Sequence, residues 1–152
     1  MNLEGRQIDI VEIMDKIPHR YPMLLVDRII EIDEDGCVGR KCVTMNEEIF
    51  QGHFPGAPIF PGVLTVEAMA QTAAVYVMTI LEDEGEQDNL VYFMSIDKVK
   101  FRKPITPGDT VEMKVTKIAE KGPVFSFKGV ATVDGVVCSQ AEFKAMIVKQ
   151  EK

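Results

Sequence analysis

Two side chains near the middle of the sequence, His53 and Glu67, have the types and surroundings that proton chemistry requires. His53 stands in Gly52-His53-Phe54-Pro55-Gly56-Ala57-Pro58-Ile59-Phe60-Pro61-Gly62, a run too rich in proline and glycine to become helix. A loop that stiff suits holding one side chain in place, and a neutral imidazole is a suitable general base near neutral pH. Glu67 is the only acid between Glu48 and Glu82, in the first turns of an apolar stretch. A carboxyl group in apolar surroundings tends to keep its proton, which suits a general acid. Helix-dipole stabilisation is the blander account, but it fades within the first turn, and Glu67 lies near or beyond that turn. Gln71, four residues on, shares its helical face and can hydrogen-bond the carboxyl or a water. Pro61-Gly62 opens this helix, leaving the amides of Gly62 and Val63 without partners inside it. Such donors can hold a thioester carbonyl and stabilise the enolate-like charge formed when its α-proton leaves.

Other chemistries fit less well. Two histidines exclude a His-rich metal site, and no cysteine lies near either in a zinc-like spacing. Cys37, Cys42 and Cys138 are odd in number and irregular in spacing, which favours reduced thiols in a cytoplasm over a disulfide framework. No Gly-x-Ser-x-Gly occurs, and no lysine follows the glycines as a phosphate loop demands. With 17 basic and 24 acidic residues, the net charge of −7 disfavours nucleic acid and anionic membrane surfaces as partners. The first twenty residues carry scattered acids and no apolar core, so they do not read as a secretory leader.

These groups need elements to position them. Val63 to Leu81 has no Lys or Arg and as a helix would run roughly 28 Å, long enough to cross a bilayer. Glu67 and Gln71 would be costly in lipid, and Glu82-Asp83-Glu84 follow directly, so the expectation is a buried helix and no membrane insertion. Being apolar nearly all round, it must be wrapped rather than laid on a surface. The remaining chain reads largely as strand: Met23 to Ile32, Cys37 to Met45, Asn89 to Lys103, Thr110 to Ala119, Val124 to Val133 and Val136 to Lys149. Asp35-Gly36 and Asp134-Gly135 are hairpin signals, and Lys121-Gly122-Pro123 a third joint. A short amphipathic segment, Ile8 to Met14, precedes them with Asp9 as its N-cap. His19, between Pro18 and Arg20, reads as structural. The whole is expected to be one α+β domain over residues 1–152, six antiparallel strands around one central helix. Free sheet edges invite a second copy, so a homodimer is expected.

Three blocks also resemble a known family. Ile17-Pro18-His19-Arg20-Tyr21-Pro22-Met23-Leu24-Leu25-Val26-Asp27-Arg28 is similar to the opening signature of FabZ-type β-hydroxyacyl-acyl carrier protein dehydratases. Gly52-His53-Phe54-Pro55-Gly56, with Pro61-Gly62-Val63-Leu64 and Glu67-Ala68-Met69-Ala70-Gln71, resembles their active-site block. Asp97-Lys98-Val99-Lys100-Phe101-Arg102-Lys103-Pro104, followed by Pro107-Gly108-Asp109, is the third match. The resemblance implies a hot-dog fold, catalytic His53 and Glu67, and carbonyl binding at Gly62. It also implies acyl carrier protein as partner, no cofactor, and sites shared between the subunits of a dimer, commonly within a trimer of dimers. Tyr92 resembles an aromatic position that gates the acyl tunnel, whose shape is expected to depend also on Phe60 and Met94. The FabA type has Asp where this chain has Glu67, which favours the FabZ type. Lys98, Lys100 and Arg102 on one strand face, with Lys103, would form the docking patch for the acidic carrier, unless they guard an exposed edge. A hot-dog thioesterase and an acyl-thioester-sensing domain without chemistry are the alternatives.

Overall fold

The computed structural model describes residues 3–150. Its elements follow the sequence pattern closely. A short helix, α1 (Ile10–Lys16), is capped by Asp9, whose side chain accepts the Glu12 amide at 3.0 Å. Strands β1 (Arg28–Ile32) and β2 (Gly36–Cys42) come next, then a 3-10 turn over Glu48–Gln51 and the long helix α2 (Gly62–Asp83). Four strands follow: β3 (Asn89–Phe101), β4 (Thr110–Lys121), β5 (Val124–Val133) and β6 (Val136–Lys149). They form one antiparallel sheet in the order β1-β2-β4-β5-β6-β3, the hot-dog arrangement.

Helix α2 is long and apolar enough to cross a membrane, yet it is the core of the fold. It packs against β2, β3, β4, β5 and β6, and every residue from Ala68 to Val77 is buried. Its other side is covered by the N-terminal segment. Ile8 bridges to Ile29, and Ile8, Ile13, Ile17, Leu25 and Val26 join the same apolar cluster as Met69, Val75 and Phe127. Ion pairs fasten this strap to the end of α2: Lys16 to Glu82 at 2.5 Å and Arg6 to Asp83 at 3.2 Å.

Two sequence readings need correction. The expected strand over Met23 to Ile32 begins only at Arg28. Residues Met23 and Leu25 instead satisfy their backbone on the side chain of Gln71, which takes the place of a neighbouring strand. The β1–β2 turn is also not built on Asp35-Gly36. Asp33 closes it, its carboxylate accepting the amides of Asp35 at 2.8 Å and Gly36 at 3.1 Å.

The helix lies unusually close to the sheet at Gly39 of β2, where an added Cβ would fall 2.6 Å from Thr72 Oγ1. Thr72 is fully buried and bonded to the Ala68 carbonyl, so it cannot swing away. Gly39→Ala is therefore expected to cost about 1–3 kcal/mol through overpacking. The midpoint of urea unfolding, read against wild type, checks this.

Candidate active site

His53 is fixed by its own loop. Its Nδ1 lies 2.6 Å from the Ile59 carbonyl, while the Ile59 amide returns a bond to the His53 carbonyl at 3.0 Å. A carbonyl can only accept, so Nδ1 carries a proton, and in the neutral ring the lone pair is on Nε2. Phe54 and Ala57 exchange backbone bonds across the turn at 3.1 and 2.9 Å, and Phe54 stacks on the imidazole with ring centres 4.0 Å apart. The loop is anchored by buried Phe60, whose amide bonds the Ile105 carbonyl at 2.8 Å. The imidazole is therefore held in one orientation.

Helix α2 begins beside it. Pro61 supplies its carbonyl to the amides of Leu64 and Thr65, leaving those of Gly62 and Val63 as donors the helix cannot use. The Phe101 ring lies against Gly62, where an added Cβ would fall 2.5 Å from the ring, so any larger residue would have to displace that ring. His53, Gly62, Val63 and Phe101 line one cleft of about 430 Å³, with Arg102 and Lys103 also on its wall. Cys138 lies in the same cleft, but burial pushes its thiol above the ordinary range, so it stays protonated. Cysteine chemistry has no place here.

Glu67 lines a different cleft, of about 230 Å³, between α2 and β3. It is half-buried, and Gln71, placed on its face by the helical spacing, donates from Nε2 to its Oε2 at 3.1 Å. The same amide donates to the Met23 carbonyl at 2.7 Å, and Gln71 Oε1 accepts the Leu25 amide at 2.8 Å. Gln71 is buried and fully engaged, which places it behind Glu67 rather than against a ligand. Tyr92, half exposed, lines this cleft too. So does His19, whose Nδ1 has no partner among the described residues, so a wholly structural role leaves one ring nitrogen unexplained. Of the other tunnel candidates, Phe60 lines the His53 cleft, and Met94 lines neither.

The basic patch is only partly assembled. The β3–β6 ladder takes an extra β3 residue between Asp97 and Lys100, and Lys98 adopts a φ of 52°. Simple alternation is thereby broken, so Lys98 and Lys100 do not share a face by strand periodicity. Lys98 pairs with Glu142 at 3.3 Å, away from the His53 cleft that Arg102 and Lys103 border.

Comparison with known proteins shows the family to which the chain belongs. A family model for the FabA-like domain matches residues 17–142. A 3-hydroxyacyl-[acyl-carrier-protein] dehydratase FabZ of Acidiphilium cryptum is 50% identical over 97% of this chain and 90% of that protein. The FabZ of Rhizobium rhizogenes is 53% identical over 94% of this chain and 90% of that one. The chain belongs to the FabZ dehydratases of the FabA-like family. Among solved structures, the dehydratase heterocomplex ApeI:P of Xenorhabdus doucetiae superposes with a TM-score of 0.78 at 19% identity, covering 92% of this FabZ-family chain and 91% of the other. A hypothetical thioesterase with coenzyme A from Streptococcus pneumoniae reaches 0.63 at 11% identity, over 82% and 87%. At such identities these two establish the fold alone.

Sequence spacing identified Glu67 and Gln71 as neighbours but could not show that Gln71 also bonds residues 23 and 25. Replacing Gln71 with Leu strips the buried Leu25 amide, the part-buried Met23 carbonyl and Glu67 of a partner at once. Gln71→Leu is expected to lower stability by about 2–4 kcal/mol, measured by chemical unfolding.

Proposed function

We propose that this FabZ-family protein dehydrates a (3R)-hydroxyacyl thioester on acyl carrier protein to the trans-2-enoyl thioester, in the elongation cycle of fatty acid synthesis. The observation that carries the reading is His53 held in one tautomer beside the two unused amides of α2. His53 Nε2 removes a C2 proton. The Gly62 amide, with Val63 beside it, holds the thioester carbonyl as charge moves onto its oxygen. Glu67 gives a proton to the C3 hydroxyl, which departs as water. Neither step calls for a metal or redox cofactor.

One chain does not complete this site, since His53 and Glu67 line separate clefts. Strand β3 ends the sheet with Tyr92, Met94, Ile96 and Phe101 each more than half exposed. An edge that long and apolar calls for a partner. We therefore place the working site between two copies, His53 and Gly62 from one facing Glu67 and Tyr92 of the other. The acyl chain lies in the Glu67 cleft, along Ala74, Met78, Leu90 and Val91. A trimer of such dimers and a cytoplasmic location belong to the same reading.

His53→Ala is expected to lower turnover about 10²- to 10⁴-fold, and Glu67→Gln comparably, in a coupled enoyl-absorbance assay. Refolding the two inactive variants together should restore roughly a quarter of wild-type turnover, because half the dimers are mixed and each has one intact site. No recovery would place both residues of a site on one chain. Carrier docking is tested separately by reversing charge at Arg102 and Lys103. The KM for carrier-bound substrate should rise about tenfold with a short thioester unaffected, whereas reversal at Lys98 should change neither.

A further inference from the structure

The cleft that begins at Glu67 is apolar along its length and polar at its far end. Ala74 and Met78 continue the Glu67 face of α2, so the cleft runs about 16 Å along the helix from Glu67 to Met78. Leu90, Val91 and Phe93 of β3 supply the opposite apolar wall. Beyond Met78 the lining changes to Asn89 and Lys16. Asn89 opens β3, opposite Lys149 and just past the loop that follows α2, which places it at the helix's C-terminal end. Lys16 reaches the same end, where it is bound to Glu82. Asn89 is 7% exposed, and its Nδ2 has no hydrogen-bond partner among the described residues. Buried amide donors are nearly always paired, so an unpaired one beside a cleft requires an explanation.

Resting on the proposed dehydratase reading, we propose that Asn89, backed by the Lys16–Glu82 pair, is the polar stop that sets the longest acyl chain this protein processes well. Each methylene laid along Ala74, Met78 and Val91 leaves water for an apolar wall and improves apparent affinity about fourfold. A chain long enough to reach Asn89 meets an unpaired N–H and a part-buried ion pair instead. Covering those with a methyl group gives no comparable gain and leaves the amide without a partner. The gain per methylene therefore ends abruptly at the length that reaches Asn89, rather than tapering.

The test is a series of 3-hydroxyacyl carrier thioesters from four to sixteen carbons, with log KM plotted against chain length. Wild type should show a falling line with a break. Asn89→Leu removes the unpaired donor without removing volume, so it should fold as well as wild type. It should move the break to longer chains and improve kcat/KM for the longest about tenfold, leaving the shortest within twofold. Asn89→Asp, which puts a charge at the stop, should move the break to shorter chains. A break that stays put in both variants, a line with no break, or an equal change at every length would each overturn the role of Asn89. Failure of the four-carbon substrate in wild type would instead count against the dehydratase reading itself.

Discussion

The side chain of Gln71 joins three parts of the molecule at a single point. It sits in the middle of α2, buried, and engages the backbone of Met23 and Leu25 as well as the carboxylate of Glu67. Through this one amide, the N-terminal strap is held against the helix, and the helix's one internal acid keeps a defined orientation. Its partners are backbone groups in a buried setting, where leaving any of them unpaired is expensive. The fixed side chain at the centre and the fixed loop around His53 solve the same problem by different means. One uses a side-chain amide, the other a ring of backbone bonds closed through Ile59.

Much of this was legible in the sequence because periodicity and punctuation agree with the fold. The alternation after Asn89, the Asp134-Gly135 turn and the unbroken apolar run after Gly62 all became the elements they suggest. His53 and Glu67 were visible as candidates because a lone acid in an apolar helix and a histidine between prolines are rare contexts. What escaped was tertiary. Residues 23–27 have strand composition, and nothing local says that a side chain forty-six residues from Leu25 will stand in for a strand. The bulge in β3 escaped too, because alternation of Lys98, Lys100 and Arg102 against Val99 and Phe101 reads as a regular strand. His19 was read as structural from its prolines, whereas its cleft is shared with Glu67.

The division of labour between the two clefts has a simple physical basis. In the proposed reaction a base and an acid serve adjacent carbons, and they would tend to neutralise each other if both sat on one wall. Here each is tied to its own chain's scaffold: His53 to the Ile59 carbonyl and Glu67 to Gln71. Phe101 belongs to the same economy, since its ring rests on Gly62 from the edge strand. The exposed edge thus adjoins the helix N-terminus, whose first amides the helix leaves unused.

The sheet order has a consequence for how the chain is made. Strand β3 follows α2 directly in sequence, yet its ladder partner is β6, the last strand, so it stays unpaired while some forty further residues are added. During synthesis α2 leaves the ribosome before any of the four strands β3 to β6 that cover it. A helix apolar enough to enter a bilayer is then briefly without its wrapping. Only the N-terminal strap and the β1–β2 hairpin precede it, and these can shield one side. Until those strands are made, the nascent chain exposes apolar surface of the kind that promotes aggregation.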